Sequence, residues 1–261
     1  MSRVWNKWSE SEVESLKKLW PSSSREELMK SFPGRSYSQL KDKARHSEIR
    51  SEGLPRKRYT RMEYLLNYND PEVAYWWGFI MADGCINDQQ IIISIHENDK
   101  DHLIKLAERL NAKVKYVTRI NDWHTTEYTM IRIACSGKHI INKINTVFKF
   151  NGPKTYNPPK LDVFFNRELL YAFFTGYVDG DGNINFEKKN HSIRIKVHGN
   201  WFNTLQLISD NLYKFYDIKC QVSLNKKGNA ILNISRKEFL LKLKSLNKHL
   251  PYLKRKWDKI N

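Results

Sequence analysis

The chain has only three cysteines, Cys85, Cys135 and Cys220, in 261 residues. They are too few and too scattered for a disulfide framework or a zinc site, so reduced thiols in an intracellular setting are expected. Long apolar runs are missing too. No stretch of about eighteen apolar residues offers a membrane span, and the N-terminus lacks a hydrophobic signal segment. The expectation is a soluble protein of the cytoplasm or nucleoid, not secreted. Acidic residues are in deficit: 28 Asp and Glu face 45 Lys and Arg, a formal net charge of +17. Such an excess favours a polyanion through Coulomb attraction and counterion release, most simply nucleic acid, with solvated surface lysines as the plainer reading. Residues 1–61 carry 15 basic side chains against 8 acidic, and the remainder 30 against 20, so both parts are basic. Hydrophobic residues make up 40% of the chain, enough for real cores.

Residues 5 to about 50 read as three short helices. Each start carries a capping box: Ser9-x-x-Glu12, Ser24-x-x-Glu27 and Ser36-x-x-Gln39. The hydroxyl accepts from a first-turn N–H while the acid or amide bonds back. Trp8, Val13, Leu16, Leu19, Trp20, Leu28, Phe32, Leu40 and Ala44 would fill a small core, and Pro33-Gly34 breaks the chain before the third helix. That helix, Ser36 to about Ile49, exposes Lys41, Lys43, Arg45 and His46. A trihelical unit with a basic last helix has the geometry of helix-turn-helix readers. The pattern Trp5, Trp8-Ser9, Leu16, Leu19, Phe32, Gly34-Arg35-Ser36, Gln39, Lys43 and Arg45 resembles Myb/SANT-type domains. The resemblance implies DNA contacts from Arg35, Lys41, Lys43 and Arg45; a helical protein-interaction module is the other reading.

Residues 51–68 form a polar connector, in which Arg56, Lys57 and Arg58 are expected to touch phosphates. Beyond it the pattern changes. Asp70-Pro71-Glu72 supplies an N-cap, a proline at the first helical position and an early acid. The helix they open runs through Trp77 and ends at Gly84. Strands are predicted near Cys85–Asn87 and Ile91–Ile95, then a helix at about Asp99–Leu110, strands Lys113–Ile120 and Glu127–Cys135, and a helix at about Lys138–Phe148. A segment with Gly152, Pro153, Pro158 and Pro159 (152–165) reads as a linker. The cycle then restarts: helix Asn166–Asp179, strands Asn183–Glu187 and Ser192–Val197, helix Trp201–Phe215, strands Gln221–Asn225 and Ala230–Ser235, helix Lys237–Leu246. Residues 69–151 and 166–261 each read αββαββα, a duplicated unit. The predicted fold class is α+β: two pseudo-symmetric repeats beside a small all-α domain at 1–50.

The duplication carries a motif. Trp76-Trp77-Gly78-Phe79-Ile80-Met81-Ala82-Asp83-Gly84 is echoed by Phe174-Thr175-Gly176-Tyr177-Val178-Asp179-Gly180-Asp181-Gly182. Gly78 and Ala82, like Gly176 and Gly180, stand four apart, so each pair lies on one helix face and permits close approach of a partner helix. If those faces pack, Asp83 and Asp181 come together at two helix C-termini. The macrodipole and mutual repulsion both oppose that, and a divalent cation removes both objections. The plainer reading, an Asp-Gly turn before a strand, suits one copy better than two.

These motifs resemble those of LAGLIDADG homing endonucleases in their single-chain, two-motif form, over residues 69–261. The resemblance implies a saddle built from two repeats over double-stranded DNA with a long asymmetric site, cut by a monomer. It implies that Asp83 and Asp181 hold Mg²⁺ (or Mn²⁺) for phosphodiester hydrolysis. Lys138 and Lys237, at equivalent positions after the last strand of each repeat, are candidates to stabilise charge on the reacting phosphate, with Arg236 as a rival to Lys237 and a solvated helix-start lysine as the plainer reading. Asp179 has Met81 as its counterpart, so this first acid is not expected to bind metal. Trp76-Trp77 replaces the family's usual leucine and alanine, which implies looser helix packing. Strand alternation assigns Lys113, Lys115, Arg132, Asn185, Lys189, Arg194 and Lys196 to polar faces that suit phosphates and base edges. Val114 and Tyr116 are assigned to the opposite face. An RNA-binding splicing cofactor (maturase) and a non-cleaving transcriptional regulator remain as rival readings.

Overall fold

The computed structural model describes residues 7–21, 23, 25–47, 49, 60–120, 127–150, 152–164, 166–187 and 190–261. Trp5, Ser24, Arg56, Lys57, Arg58 and Lys189 lie outside them. The chain divides into two compact units, Met1–Arg58 and Tyr59–Asn261.

In the first unit, α1 (Glu10–Leu19), α2 (Arg25–Ser31) and α3 (Tyr37–His46) enclose Leu16, Leu28, Phe32, Leu40 and Ala44. Both described capping boxes form: Ser9 with Glu12 and Ser36 with Gln39. The third helix stops at His46, short of the expected Ile49. There the chain folds back, and the Ile49 N–H donates to the Ala44 carbonyl (2.9 Å). Arg35 is a correction to the DNA-contact set. It is only 6% exposed. Its guanidinium donates to Glu12 (3.1 and 3.0 Å) and lies over the Trp8 ring at 4.3 Å. A cation held this way ties α1 to the turn before α3. Arg35 thus stabilises the unit and is withdrawn from a duplex.

In the second unit, the 3₁₀ turn Met62–Leu66, expected within the connector, belongs to the core: Met62 and Leu65 are buried. Helix α4 (Pro71–Asp83) follows, capped by Asp70, whose side chain accepts from the Glu72 N–H. Then come β1 (Gly84–Ile86), β2 (Gln90–His96), the 3₁₀ turn Glu97–Asp99, α5 (Lys100–Leu110), β3 (Lys115–Ile120), β4 (Glu127–Ser136) and α6 (Lys138–Phe148). The second repeat runs through α7 (Arg167–Asp181), β5 (Asn183–Glu187), β6 (Asn190–His198), the 3₁₀ turn Gly199–Trp201, α8 (Phe202–Tyr216), β7 (Gln221–Leu224), β8 (Asn229–Ile234) and α9 (Lys237–Leu246). A further short helix, α10 (Lys254–Trp257), comes near the C-terminus and has no counterpart in the sequence reading.

Two antiparallel four-stranded sheets result, ordered β1-β2-β4-β3 and β5-β6-β8-β7. Ile91, Ile93, Ile95, Ile131 and Ile133 bury one face of the first sheet; Ile184, Ile193, Ile195, Leu232 and Ile234 bury the matching face of the second. Period-two alternation places them there. Tyr116 departs from its core assignment. It pairs with Ile131 yet is 65% exposed, on the edge strand β3.

Helices α4 and α7 form the centre. Trp76 and Trp77 are fully buried and do not loosen their packing. Trp76 packs on His102 of α5 and Trp77 on Phe148 of α6, with the Trp77 indole N–H donating to the Leu65 carbonyl (2.8 Å). The large rings point away from the α4–α7 seam into their own repeat. The seam itself is made by small residues. A Cβ built on Gly78 would lie 1.9 Å from the Phe173 carbonyl oxygen, and one on Gly176 lies 1.9 Å from that of Tyr75. The approach is symmetric, since Phe173 is the repeat counterpart of Tyr75.

Candidate functional site

Helices α4 and α7, pressed backbone to backbone, also end together. A Cβ on Gly180 would meet the Ala82 Cβ at 2.2 Å and the Asp83 Cγ at 3.4 Å, so the last turns of α4 and α7 abut. Asp83 and Asp181 are the final residues of those helices. Gly84 and Gly182 then turn the chain into β1 and β5 in extended conformation. Each of these glycines faces its own helix so closely that a side chain would strike the Ile80 or Val178 carbonyl.

Both aspartates open onto solvent, while the protein packed around them strips enough hydration to disfavour their charge. The Asp83 carboxyl is pushed up to about 6, by burial first and then by the charge of Asp181. Burial raises Asp181 as well, against a hydrogen bond from Tyr177. Burial raises both carboxyls, and at Asp83 the charge of Asp181 adds to the rise.

The cations that act on this pair are Lys154 and Lys256. Lys154 donates to the Met81 and Ala82 carbonyls, the latter at 2.8 Å. Lys256 donates to the carbonyls of Val178 (2.9 Å), Gly180 (2.7 Å) and Gly182 (2.7 Å). Each lysine thus caps the negative end of one motif helix and offsets the dipole that opposes the aspartate. Both are half-buried, and burial lowers their own pKa values. Lys138 and Lys237 are exposed at the first positions of α6 and α9, with the Lys237 ammonium 5.6 Å over the Phe186 ring.

Sequence reading passed over Lys154 and Lys256 because each lies in irregular chain or a short terminal helix. A signal was present. Lys154 follows Asp83 by 71 residues and Lys256 follows Asp181 by 75, each just past the last long helix of its repeat.

Asp179 has a different task. It is 2% exposed and accepts from the Tyr75 hydroxyl (2.6 Å), the Trp257 indole N–H (2.7 Å) and the Leu253 N–H (2.8 Å). Burial raises its pKa to about 6 and these donors pull it back. These three donors tie α7 to Tyr75 of α4 and to the C-terminal segment at Leu253 and Trp257.

The sheet faces turned away from the helices carry polar rows set by register. In the first sheet Ser94, Arg132 and Lys115 lie side by side; Lys113 is exposed in the chain before β3. In the second sheet Asn183, Arg194, Asn233 and Gln221 form one row, Lys196 sits in the next, and Asn185 pairs with Ser192. Asn183, Asn233 and Gln221 join the row only through pairing register, which the sequence alone did not display. In the first unit, Lys41 and Arg45 are exposed on α3, Arg45 beside Asp42 at 3.8 Å, while Lys43 is half-buried with its ammonium 5.9 Å over Trp8.

No family model matches the chain. It is 26% identical over 194 residues to a probable translation initiation factor IF-2 from Methanocaldococcus jannaschii, a match that takes in 72% of this chain and only 16% of the factor's length. Among solved structures, the homing endonuclease I-WcaI bound to its DNA recognition sequence aligns with a TM-score of 0.55 at 17% identity, covering 72% of this chain and 85% of that one. Full-length WhiA from Thermatoga maritima gives 0.49 at 19% identity, covering 76% of this chain and 62% of its own. At such identities the likeness is one of fold. The second unit has the LAGLIDADG α+β architecture, with two four-stranded antiparallel sheets around paired motif helices. Among the described residues no helix is long and apolar enough to cross a membrane.

Proposed function

We propose that the chain is a site-specific DNA endonuclease that hydrolyses a phosphodiester bond on each strand of a duplex. The observation that carries this reading is the placement of Asp83 and Asp181 at abutting helix ends, solvent-facing, pKa-raised and flanked by two half-buried lysines.

The donor set suits Mg²⁺ or Mn²⁺. Among the described residues no cluster of three or more His, Cys, Asp or Glu could hold a metal alone. A hard cation that keeps its waters and takes one or two carboxylates plus substrate phosphate oxygens needs no more than Asp83 and Asp181. When bound, such an ion supplies Lewis-acid polarisation and a more acidic water. The chain's own residues do the rest. Asp83 and Asp181 position charge at the helix tips. Lys154 and Lys256, rather than Lys138 and Lys237, take the role of stabilising negative charge on the reacting phosphate.

The polar rows supply the DNA grip: Arg132 and Lys115 in one sheet, Arg194, Lys196 and the amides around them in the other. Their arrangement differs between repeats, which favours a long asymmetric site read by one chain acting as a monomer. The N-terminal unit, with Lys41 and Arg45 exposed on α3, adds affinity by tethering, since a linked module raises effective concentration. The protein acts inside the cell, where its substrate is.

The test is a cleavage assay on plasmid carrying a site selected from random duplexes, with Mg²⁺ or Mn²⁺. Asp83→Asn and Asp181→Asn should each abolish double-strand cutting while leaving binding within a fewfold. Wild-type protein that binds the selected duplex tightly but cuts neither strand with either metal would refute the enzyme reading in favour of a regulator.

A further inference from the structure

Lys154 and Lys256 cap the motif helices of their own repeats, yet the segments that carry them are fastened to the opposite repeat. The segment around Lys256 is held by the first repeat's turn Glu97–Asp99. Arg255 Nε donates to Asp99 Oδ1 at 2.7 Å and Nη2 to Oδ2 at 2.6 Å, a bidentate pair spanning 156 positions of sequence. The segment around Lys154 is held by the equivalent turn of the second repeat, Gly199–Trp201. There the Trp201 indole N–H donates to the carbonyls of Lys154 (3.1 Å) and Thr155 (3.2 Å), and the Asn200 amide donates to Tyr156 (2.7 Å). The two turns are built alike: His96 Nδ1 accepts from the Asn98 N–H and His198 Nδ1 from the Asn200 N–H.

We propose that this reciprocal clasp aligns the two lysines for cleavage, with Asp99 and Trp201 as positioning residues, each serving the lysine of the repeat to which it does not belong. The proposal rests on the endonuclease reading. Two features favour alignment over mere packing. Arg255 is adjacent to Lys256, so the tie acts one residue from the ammonium that caps α7. Its partner Asp99 is largely buried in the pair, with 13% of the side chain exposed, so the anchor is fixed. A bidentate Arg–carboxylate pair gives direction as well as energy. The indole of Trp201, 2% exposed and packed on the Tyr177 ring, is an equally fixed anchor for the other side. A lysine displaced by about 1 Å loses its hold on a developing charge, a loss on the order of a hundredfold in rate. Crossing the ties has a consequence: neither repeat alone can align its own lysine, so the two strand cuts depend on the repeats staying together.

The experiment uses the full chain and duplexes labelled on either strand, with nicked and linear plasmid as a second readout. Asp99→Asn and Arg255→Met should slow cutting of one strand tenfold or more and accumulate nicked product. Trp201→Phe, which keeps an aromatic ring and removes the indole N–H donor, should slow the other strand. The exchanged pair Asp99→Arg with Arg255→Asp should recover part of the first loss. Thermal midpoints confirm that the variants fold, and Arg255→Lys provides a milder change should Arg255→Met not fold. Equal effects on both strands, or wild-type rates on both, overturn the clasp while leaving the endonuclease reading intact. Should wild-type protein cut nothing, that reading falls separately, and competitive acetylation decides the clasp. Asp99→Asn must make the Lys256 amine more reactive and leave Lys154 unchanged, and an unaltered Lys256 overturns it.

Discussion

Replacing Gly176 by Ala tests the seam that brings the two aspartates together. The new methyl would sit 1.9 Å from the Tyr75 carbonyl oxygen and 2.9 Å from the Phe79 nitrogen, where ordinary contact begins at 3.4 Å. About 1.5 Å of separation is therefore demanded between two backbones, with no flexible side chain to yield. Overpacking of a close-packed interior costs about 1–3 kcal/mol, and a clash with main chain belongs at the upper end. Alanine recovers up to about 1 kcal/mol by its better helix propensity. The net expectation is a loss of about 2 kcal/mol in the second unit, with the helix tips spread apart. Urea unfolding followed by tryptophan fluorescence measures the first effect, with Gly34→Ala as control because a Cβ there meets nothing within 4 Å. Strand cleavage measures the second and should fall further than DNA affinity does. Gly78→Ala should match it, since its neighbours are the repeat counterparts. A Gly176→Ala protein as stable and as active as wild type would refute the close approach, and with it the reason for pairing Asp83 with Asp181.

Asp83 has a folded pKa near 6 against an ordinary value of 3.8, so the folded metal-free protein binds protons more readily than the unfolded chain in that window. Its contribution therefore declines as pH rises from about 4 to 6, and Mg²⁺ should raise the thermal midpoint clearly at pH 8 and little at pH 5; a shift independent of pH would contradict this. Lys154→Met should lower cleavage on the order of a hundredfold, whereas Lys138→Ala and Lys237→Ala should leave it within a fewfold, in single-turnover assays. Arg35→Ala should destabilise the N-terminal unit by about 1–3 kcal/mol through loss of its charged hydrogen bonds to Glu12. Lys41→Ala, in contrast, should leave unfolding unchanged and weaken DNA binding.

Local order was legible where local chemistry decides it. Capping residues at Ser9, Ser36 and Asp70, the helix end at Gly84, and helices Lys138–Phe148 and Lys237–Leu246 follow from hydrogen bonds and periodicity within a few residues. The echo of Gly78–Asp83 in Gly176–Asp181 was equally visible, because small residues at a four-residue interval mark one helix face. Less visible were side chains whose place is set by partners far along the chain. Arg35 looks like a surface cation until Glu12 and Trp8 are brought beside it. Tyr116 alternates like a core residue, yet it is left exposed on an edge strand.

By itself, then, the amino-acid order determined the duplicated αββαββα pattern and the two aspartates at helix ends, since both rest on spacing and on residues close in sequence. Which cations stand beside those aspartates was decided only by the tertiary fold. Lys154 and Lys256 reach the helix tips from more than seventy residues away and bond the orphan carbonyls at the ends of α4 and α7.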